Sequence, residues 1–411
     1  MRTLQNVLVI NDFDFINGGT SQIAINTANS LAEAGYNVYF FSAVSNPSKN
    51  DLSPRITRYC SHQFDILQDP SKLRASIQGI WNTKAASLLT SLLKKLDSTK
   101  TIVHIHGWIK ALSPSIGQVL SRSGFLAVLT MHDYFIACPN GGFFNYQTRS
   151  ICHLKPMSAK CICTHCDARS YPQKVWRVAR QSVQQYISRL PYSVKNLIAV
   201  SHLSKAVLSP FLPKQASVFT ISNPVNYPFQ KPIRANVAAG RCLFIGRLSP
   251  EKGIDIACEA ARLANVRLTV IGDGELRETL GKQYPMVEFK GWLAPADVFK
   301  EMLQATALVF PSILYETFGL AVLEAFSVGL PVVVSDQCAA SELVNGRNGL
   351  LFKSGDVNDL AAKMKLMFAD LSQTEQRSNY IFEEYWKNPL TIEKYTAELV
   401  TVYNTILKKG G

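Results

Sequence analysis

Two glutamates, Glu316 and Glu324, stand eight residues apart in the stretch Pro311–Pro331, which reads PSILYETFGLAVLEAFSVGLP. The stretch follows the apolar run Ala307–Phe310 and leads into Val332–Val334, so it reads as a helix between two buried strands, entered through Glu316-Thr-Phe-Gly-Leu. Glu324 is flanked by Ala321, Val322, Leu323, Ala325 and Phe326, where a carboxylate is costly unless something hydrogen-bonds to it. Gly319 removes a side chain where the helix starts, which opens unpaired backbone N–H groups to an anion. A helix start facing phosphate, with hydroxyl acceptors on either side, suits a nucleoside-diphosphate sugar. A buried crossover helix whose Glu324 caps or pairs inside the core fits this stretch equally well.

Other residues could act on the same ligand. Arg247 and Lys252 flank a glycine-bearing turn, Gly246–Gly253, after the strand Cys242–Ile245. Gly18-Gly19 precede a helix over Thr20–Ala34 and allow close backbone approach to a phosphate. Neither they nor Gly272-Asp-Gly274-Glu-Leu-Arg277 complete a GxGxxG, so a nicotinamide dehydrogenase is disfavoured. Asp12-Phe-Asp14 reads first as loop capping and second as a metal pair. His132 follows the strand Leu126–Thr130, at the strand end where parallel sheets carry chemistry, and His106 could reach the same edge. His104 reads instead as a satisfied structural histidine. Five of nine cysteines fall in an aperiodic segment, Cys138, Cys152, Cys161, Cys163 and Cys166. The expectation is a structural zinc on Cys138, Cys152, Cys163 and Cys166, with unpaired thiols or a redox pair as alternatives.

The elements that must position these groups point to an α/β protein. At 411 residues the chain suggests two domains, and 47% hydrophobic with 18% charged residues is a globular composition. No run approaches a membrane span, and the first residues do not read as a signal peptide, so the expected location is cytoplasmic. Apolar strands alternate with helical patterns in two successive doubly wound halves. The first is expected over 1–225, with a Cys-rich insert at about 138–172, and the second over 240–380, after a linker rich in Pro, Asn and Ala. Helices over 381–411 close the chain, with packing back on the first domain as an option.

Net charge is +13, and residues 145–190 hold eight Lys or Arg against Asp167 alone. Such a block implies an anionic partner. Without RNP-like, zinc-finger or basic-zipper spacing, nucleic acid ranks last and is not expected as a partner. The helix expected over Gln173–Leu190 puts Val175, Ala179, Val183, Tyr186 and Leu190 on one side. Lys174, Arg177, Arg180 and Gln184 lie on the other, which reads as a solvated basic face or as a seat for an anionic membrane surface.

Four motifs in order, GRLSPEKG, GDGELR, FKGW and ETFGLAVLE, resemble the retaining glycosyltransferases of family 4, of bacterial surface-polysaccharide type. The resemblance covers most of 240–350; Gly18-Gly19, Ile105-His106-Gly107 and Met131-His132-Asp133 extend it loosely into the first half. The sequence departs from the family at Asn223-Pro224, where Asn-Gly is usual, and in the cysteine-rich insert, which only some members have. The resemblance implies the GT-B fold, two Rossmann-like domains facing across a cleft where a sugar is transferred. It implies that Arg247 and Lys252 hold the diphosphate, Glu324 the ribose and Glu316 the transferred sugar. Phe318, Gly319 and Leu320 would offer N–H groups to sugar and phosphate, with Gly272, Gly274, Lys290 and Gly291 near the base and ribose. Gly18 and Gly19 would close over the phosphates, and His132 would touch the sugar. The donor would be a UDP-, GDP- or ADP-sugar and the acceptor a glycan or lipid-diphosphate-linked glycan at the inner face of a membrane. No catalytic metal or other cofactor is expected. A catalytically silent nucleotide- or glycan-binding protein and a sugar phosphorylase on the same fold are the competing readings.

Overall fold

The computed structural model describes residues 3–409. The chain forms two compact units: one runs up to Gly142 and includes His153–Pro224 and the chain from Ile392 onward, the other comprises Phe143–Cys152 and Val225–Thr391. Among the described residues no helix is long and apolar enough to cross a membrane.

In chain order the strands are β1 (Asn6–Ile10), β2 (Asn37–Ser42), β3 (Thr57–Cys60), β4 (Thr101–Ile105), β5 (Leu126–Met131), β6 (Phe144–Asn145), β7 (Ser150–Ile151), β8 (Asn196–Ala199) and β9 (Ser217–Thr220). All but β6 and β7 form one parallel sheet of order β3-β2-β1-β4-β5-β8-β9. Its central strands are continuous apolar runs because helices cover both faces of a parallel sheet. Val7, Leu8, Val9 and Ile10 of β1 are all fully buried. The last helix, Ile392–Lys409, belongs to this unit: Tyr395, Leu399, Tyr403 and Ile406 share a core with Ile23, Ala28 and Leu31 of the helix Gly19–Glu33. The Tyr395 hydroxyl lies 3.0 Å from Thr27 Oγ1, and that of Tyr403 lies 2.7 Å from His104 Nδ1.

The second unit continues with β10 (Arg241–Ile245), β11 (Arg267–Ile271), β12 (Glu288–Gly291), β13 (Ala307–Phe310), β14 (Val332–Ser335) and β15 (Gly349–Phe352). They form a parallel sheet of order β12-β11-β10-β13-β14-β15. The expected linker is part of this unit, since Val225 and Ala235 are buried in its core and Val225 N–H donates to the Leu390 carbonyl. The helix Leu371–Lys387 stays here too, with Trp386 Nε1 donating to the Ser327 carbonyl.

The cysteine-rich insert is more ordered than its sequence suggests. The hairpin β6-β7 sends Phe144 into the core of the second unit, beside residues such as Cys242 and Phe244, so Phe143–Cys152 leaves the first unit. Short helices follow at Ala159–Cys163 and Tyr171–Ser182, the latter running into a π-helical turn at Val183–Ile187. Here the sequence reading of faces is inverted. Lys174 is 0% and Arg180 3% exposed, and Gln184 is buried, whereas Val175 and Tyr186 face solvent. Arg180 donates to the Ile109 carbonyl and stacks on Phe135 and Trp176, while Arg177 pairs with buried Asp167 at 2.6 Å. Burial holds the Arg180 guanidinium well below its ordinary range, at about 9. Helical periodicity locates two faces but not which one turns inward.

Candidate active site at the switch point of the second sheet

In each parallel sheet, neighbouring connections leave a crevice outside the carboxyl ends of the two strands where the winding reverses. In the second unit those strands are β10 and β13. A cavity of about 30 Å³ opens there, lined by Ile245 and Gly246 after β10, Phe310, Pro311 and Ser312 after β13, and the side chains of Lys252 and Glu316. Glycines let the loops around it approach. A side chain on Gly253, at φ +68°, would meet the Pro311 carbonyl oxygen at 2.1 Å. One on Gly272 would meet the Gly246 oxygen at 1.9 Å, and one on Gly274 the Leu248 oxygen at 2.5 Å. Backbone bonds from Gly246 to Ile271, Leu248 to Asp273 and Gly272 to Gly291 then join the ends of β10, β11 and β12. Gly272 and Gly274 thus serve loop packing. The same turn borders an open groove of about 550 Å³ between Asp273, Arg277, Lys282 and Phe289.

The charges at this edge come in pairs. Lys252 Nζ bonds to Glu316 Oε1, which also accepts from Ser312 Oγ at 2.8 Å. Arg247 bonds to Glu251, a buried carboxylate that Ser249 Oγ also reaches at 2.8 Å, while most of the Arg247 side chain stays in solvent. Sequence reasoning missed Ser249, Glu251 and Ser312. The local spacing Arg247–Glu251 was a usable signal, because residues four apart on a helical turn can meet.

Gly319 caps the helix Leu320–Ser327, and a side chain on it would collide with the Ala340 Cβ at 2.5 Å. The N–H groups of Val322 and Leu323 donate to the Gly319 carbonyl at 3.0 and 3.1 Å, while those of Leu320 and Ala321, in the first turn, have no partner within the helix. Glu324 is half-buried on this helix, and among the described residues no hydrogen-bond donor reaches its carboxylate. Burial alone raises its pKa from the ordinary carboxyl range to about 7. Of the two readings open in the sequence, the core-paired glutamate is therefore not what is found.

The Lys290 ammonium is held by Glu301 at 2.6 Å and Glu288 at 3.6 Å, in a network with Arg241 at the β12 edge. Gly291 is at φ +72° and its carbonyl takes the Gly272 N–H.

In the first unit the reversal lies between β1 and β4. Gly18 and Gly19 are exposed at the start of the helix Gly19–Glu33, with open space where their side chains would be. His132 sits just after β5, its Nε2 2.9 Å from His106 Nδ1. Burial keeps both imidazoles well below their usual pKa, hence neutral, and His106 Nε2 has no hydrogen-bond partner among the described residues. His104 has both ring nitrogens engaged, by Tyr403 and Thr130. Asp12 accepts the N–H groups of Lys110, Ala111 and Leu112 at 2.8–2.9 Å, so it is a loop clamp. Burial raises its pKa nonetheless, those three bonds opposing the shift. Beside His132, burial raises Asp133 to about 6.

The four cysteines expected to hold zinc do not gather. Among the described residues no group of three or more His, Cys, Asp or Glu is placed to hold a metal ion. Cys163 is exposed and Cys152 belongs to the hairpin of the second unit. Cys161, expected to be spare, is buried instead and lies with Cys166 on the ammonium of Lys174, at 3.6 and 3.3 Å. Burial would lower the Lys174 pKa, but the sulfurs of Cys166, Cys161 and Cys138 outweigh it and raise it.

Residues 239–370 match the family model described as glycosyl transferases group 1. The matched residues lie within the second unit. Sulfoquinovosyl transferase SQD2 of Arabidopsis thaliana is 33% identical over 141 residues, 32% of this chain and 27% of that protein. The chain spans 27–46% of the length of the curated relatives it matches. Among solved structures, sucrose-phosphate synthase of Thermosynechococcus elongatus superimposes with a TM-score of 0.71 at 18% identity, covering 98% of this chain and 100% of that one. Anabaena HepE in complex with UDP-glucose does so at 0.66 and 16%, covering 97% and 99%. The fold is GT-B, with two Rossmann-like domains. The matched glycosyltransferase domain contains Arg247, Lys252, Glu316 and Glu324, and the cavity between β10 and β13 lies within it.

Proposed function

We propose that the chain transfers a sugar, with retention, from a nucleoside-diphosphate sugar to a glycan or lipid-diphosphate-linked glycan in polysaccharide assembly. The observation that carries this reading is the pairing of Lys252 with Glu316 at the switch-point cavity of a group 1 glycosyltransferase domain. HepE is solved with UDP-glucose, which puts UDP-sugars ahead of GDP- and ADP-sugars.

In this reaction the anomeric C–O bond breaks and its electrons go to the departing diphosphate. The acceptor oxygen bonds to the same face of the sugar, and its proton passes to the leaving phosphate oxygen. Arg247 and Lys252 stabilise the negative charge that develops there. Those two cations make a divalent metal unnecessary for the leaving group. Glu316, already held toward Lys252, accepts from a sugar hydroxyl, and Glu324 accepts from the ribose. The helix start at Phe318–Leu320 offers N–H groups to the phosphate. In the first unit, neutral His132 can hydrogen-bond a sugar hydroxyl without adding charge.

A thermal-shift screen of UDP-, GDP- and ADP-sugars, followed by assay of donor hydrolysis, tests this. One donor class should raise the melting temperature and be turned over, with EDTA leaving the rate unchanged and the product keeping the donor's anomeric configuration by NMR. Nucleotide binding without any turnover, or activity only with inorganic phosphate, sinks the reading.

A further inference from the structure

The helix Tyr171–Ser182 turns Lys174 and Arg180 inward and leaves Val175 exposed; within the π turn that follows, Tyr186, at 77%, and Ile187 are exposed as well. The helix Lys72–Ile80 packs beside it: Trp176 Nε1 donates to the Ser76 carbonyl at 3.0 Å, and its ring fills the space where Gly79 lacks a side chain. That neighbour exposes Leu73, at 73%, and Ile77, at 59%, one turn apart. Phe64, at 54%, and Leu67 lie on the loop leading into it, with Arg74 stacked over the Phe64 ring. Two packed helices and the loop before them thus each leave large apolar side chains in solvent, and exposed apolar surface of this kind marks an interaction site.

Charge says what kind. Residues 61–96 and 134–200 contain three carboxylates, Asp65, Asp69 and Asp167, and all three are buried and engaged. Asp65 accepts the N–H groups of Leu67 and Gln68, Asp69 holds Arg74, and Asp167 holds Arg177. Lys72, Arg169 and Arg189 stay exposed. This face therefore offers hydrocarbon and cations to solvent with no exposed carboxylate from either segment. A second copy of the chain pairing through the same face would set like charges against each other.

We propose that this face seats the protein on an anionic lipid bilayer. Phe64, Leu73 and Ile77 enter the boundary between headgroups and acyl chains, while Lys72 and Arg169 meet lipid phosphates. The seat rests on the glycosyl-transfer reading only for its purpose, which is to bring the enzyme to a lipid-linked acceptor. It replaces Lys174 and Arg180 as membrane contacts, because both are buried.

The test is flotation of the full chain with vesicles of phosphatidylcholine alone or mixed with phosphatidylglycerol, at low and high salt. The wild type should float with the mixed vesicles at low salt and lose them at high salt. Leu73→Ser with Ile77→Ser should abolish flotation, and Lys72→Glu and Arg169→Glu should each weaken it at least about fivefold, the worth of one charge at such a surface. Arg74 is left in place because it neutralises Asp69. A thermal melt checks that the variants remain folded, and calorimetric nucleotide binding checks the other unit. Nucleotide binding without flotation overturns the seat and leaves the proposed function standing; flotation without any nucleotide-sugar binding does the reverse. Flotation indifferent to salt and lipid charge overturns the anionic specificity. A dimer that the Leu73→Ser, Ile77→Ser protein dissolves in sedimentation makes the face a contact between copies and overturns the proposal.

Discussion

At the edge of β10 and β13 the second unit holds two cations, each bonded to a glutamate, whereas at the ends of β1, β4 and β5 the first unit offers two neutral imidazoles and a carboxylate taken up by backbone amides. The two sheets reverse their winding in the same way, so topology does not make the difference. The second edge is suited to meet and stabilise anionic charge. The first is suited to hydroxyl groups, since His106 and His132 can donate or accept without bringing charge. One fold used twice has been given complementary chemistry by its loops.

The largest effect should come from breaking the charge pair in the second unit. Lys252→Ala should cost roughly 2–4 kcal/mol of transition-state stabilisation, as loss of a comparable electrostatic group does. It also leaves Glu316 without its cation. Glu316→Gln should damage transfer while nucleotide affinity stays near wild type. Steady-state rates with the donor found by screening, beside calorimetric nucleotide binding, decide the matter. Turnover of Lys252→Ala within threefold of wild type would falsify the assignment.

Glu324 comes next, and here pH gives the sharper test. Hydroxyl groups that donate to its carboxylate favour the ionised form, so bound nucleotide should draw its pKa down from about 7. Binding then releases a proton below neutral pH, and affinity falls as pH drops through 7. Glu324→Gln should weaken nucleotide binding by about 1.5–3 kcal/mol, the range for a hydrogen bond to a charged group, and flatten this pH dependence. The sign for stability is the opposite. A carboxyl raised in the folded chain costs nothing at low pH and destabilises progressively as pH rises from the ordinary carboxyl range to 7. The Gln variant, free of ligand, should therefore gain stability relative to wild type at pH 8. A pH-independent affinity for the wild-type protein would remove Glu324 from the nucleotide site.

Why one edge was legible and the other less so follows from how each is assembled. Arg247, Lys252, Glu316, Gly319 and Glu324 sit in two short segments whose local pattern shows both the turn and the helix they start. The glycines were found too, but their reason was not: clashes of 1.9–2.5 Å with a neighbouring loop are invisible in a linear pattern. In the first unit the partners are distant. Asp12 meets residues nearly a hundred positions on, and His104 meets Tyr403 from the last helix. The alternation of two doubly wound halves was legible because buried parallel strands read as unbroken apolar runs. The inward turn of Lys174 and Arg180 was not, because a helix with one cationic and one apolar side looks the same whichever side packs. The cysteines misled through spacing: Cys163 and Cys166 have the ligand interval, yet Cys161 is the one buried with Cys166.

The first unit predicts a stability effect where the second predicts a catalytic one. Tyr403→Phe keeps the buried ring but removes the hydroxyl 2.7 Å from His104 Nδ1, leaving that nitrogen unsatisfied in a fully buried site. The expected loss is roughly 1–2 kcal/mol of stability. Nucleotide affinity should not change. If denaturant unfolding shows no loss, the His104–Tyr403 contact does not fasten the last helix.

The smallest effect should appear where the chain leaves the first unit for the hairpin β6-β7. Arg149, on the hairpin turn, pairs with Asp255 at 2.7 Å, and Phe144, at its base, is 1% exposed within the core of the second unit. Both could explain why Phe143–Cys152 sides with that unit. The ion pair lies largely in solvent, with 42% and 29% of the two side chains accessible, so water and salt screen it. Exposed pairs of this kind contribute about 0.2–1 kcal/mol, whereas a buried aromatic ring removes far more apolar surface from water. Arg149→Ala should therefore lower the melting temperature by no more than about 2–4 °C, less at high salt, and leave protease sensitivity at 143–152 unchanged. A larger shift, with new cleavage in the hairpin, would show that charge and not the Phe144 ring holds this segment.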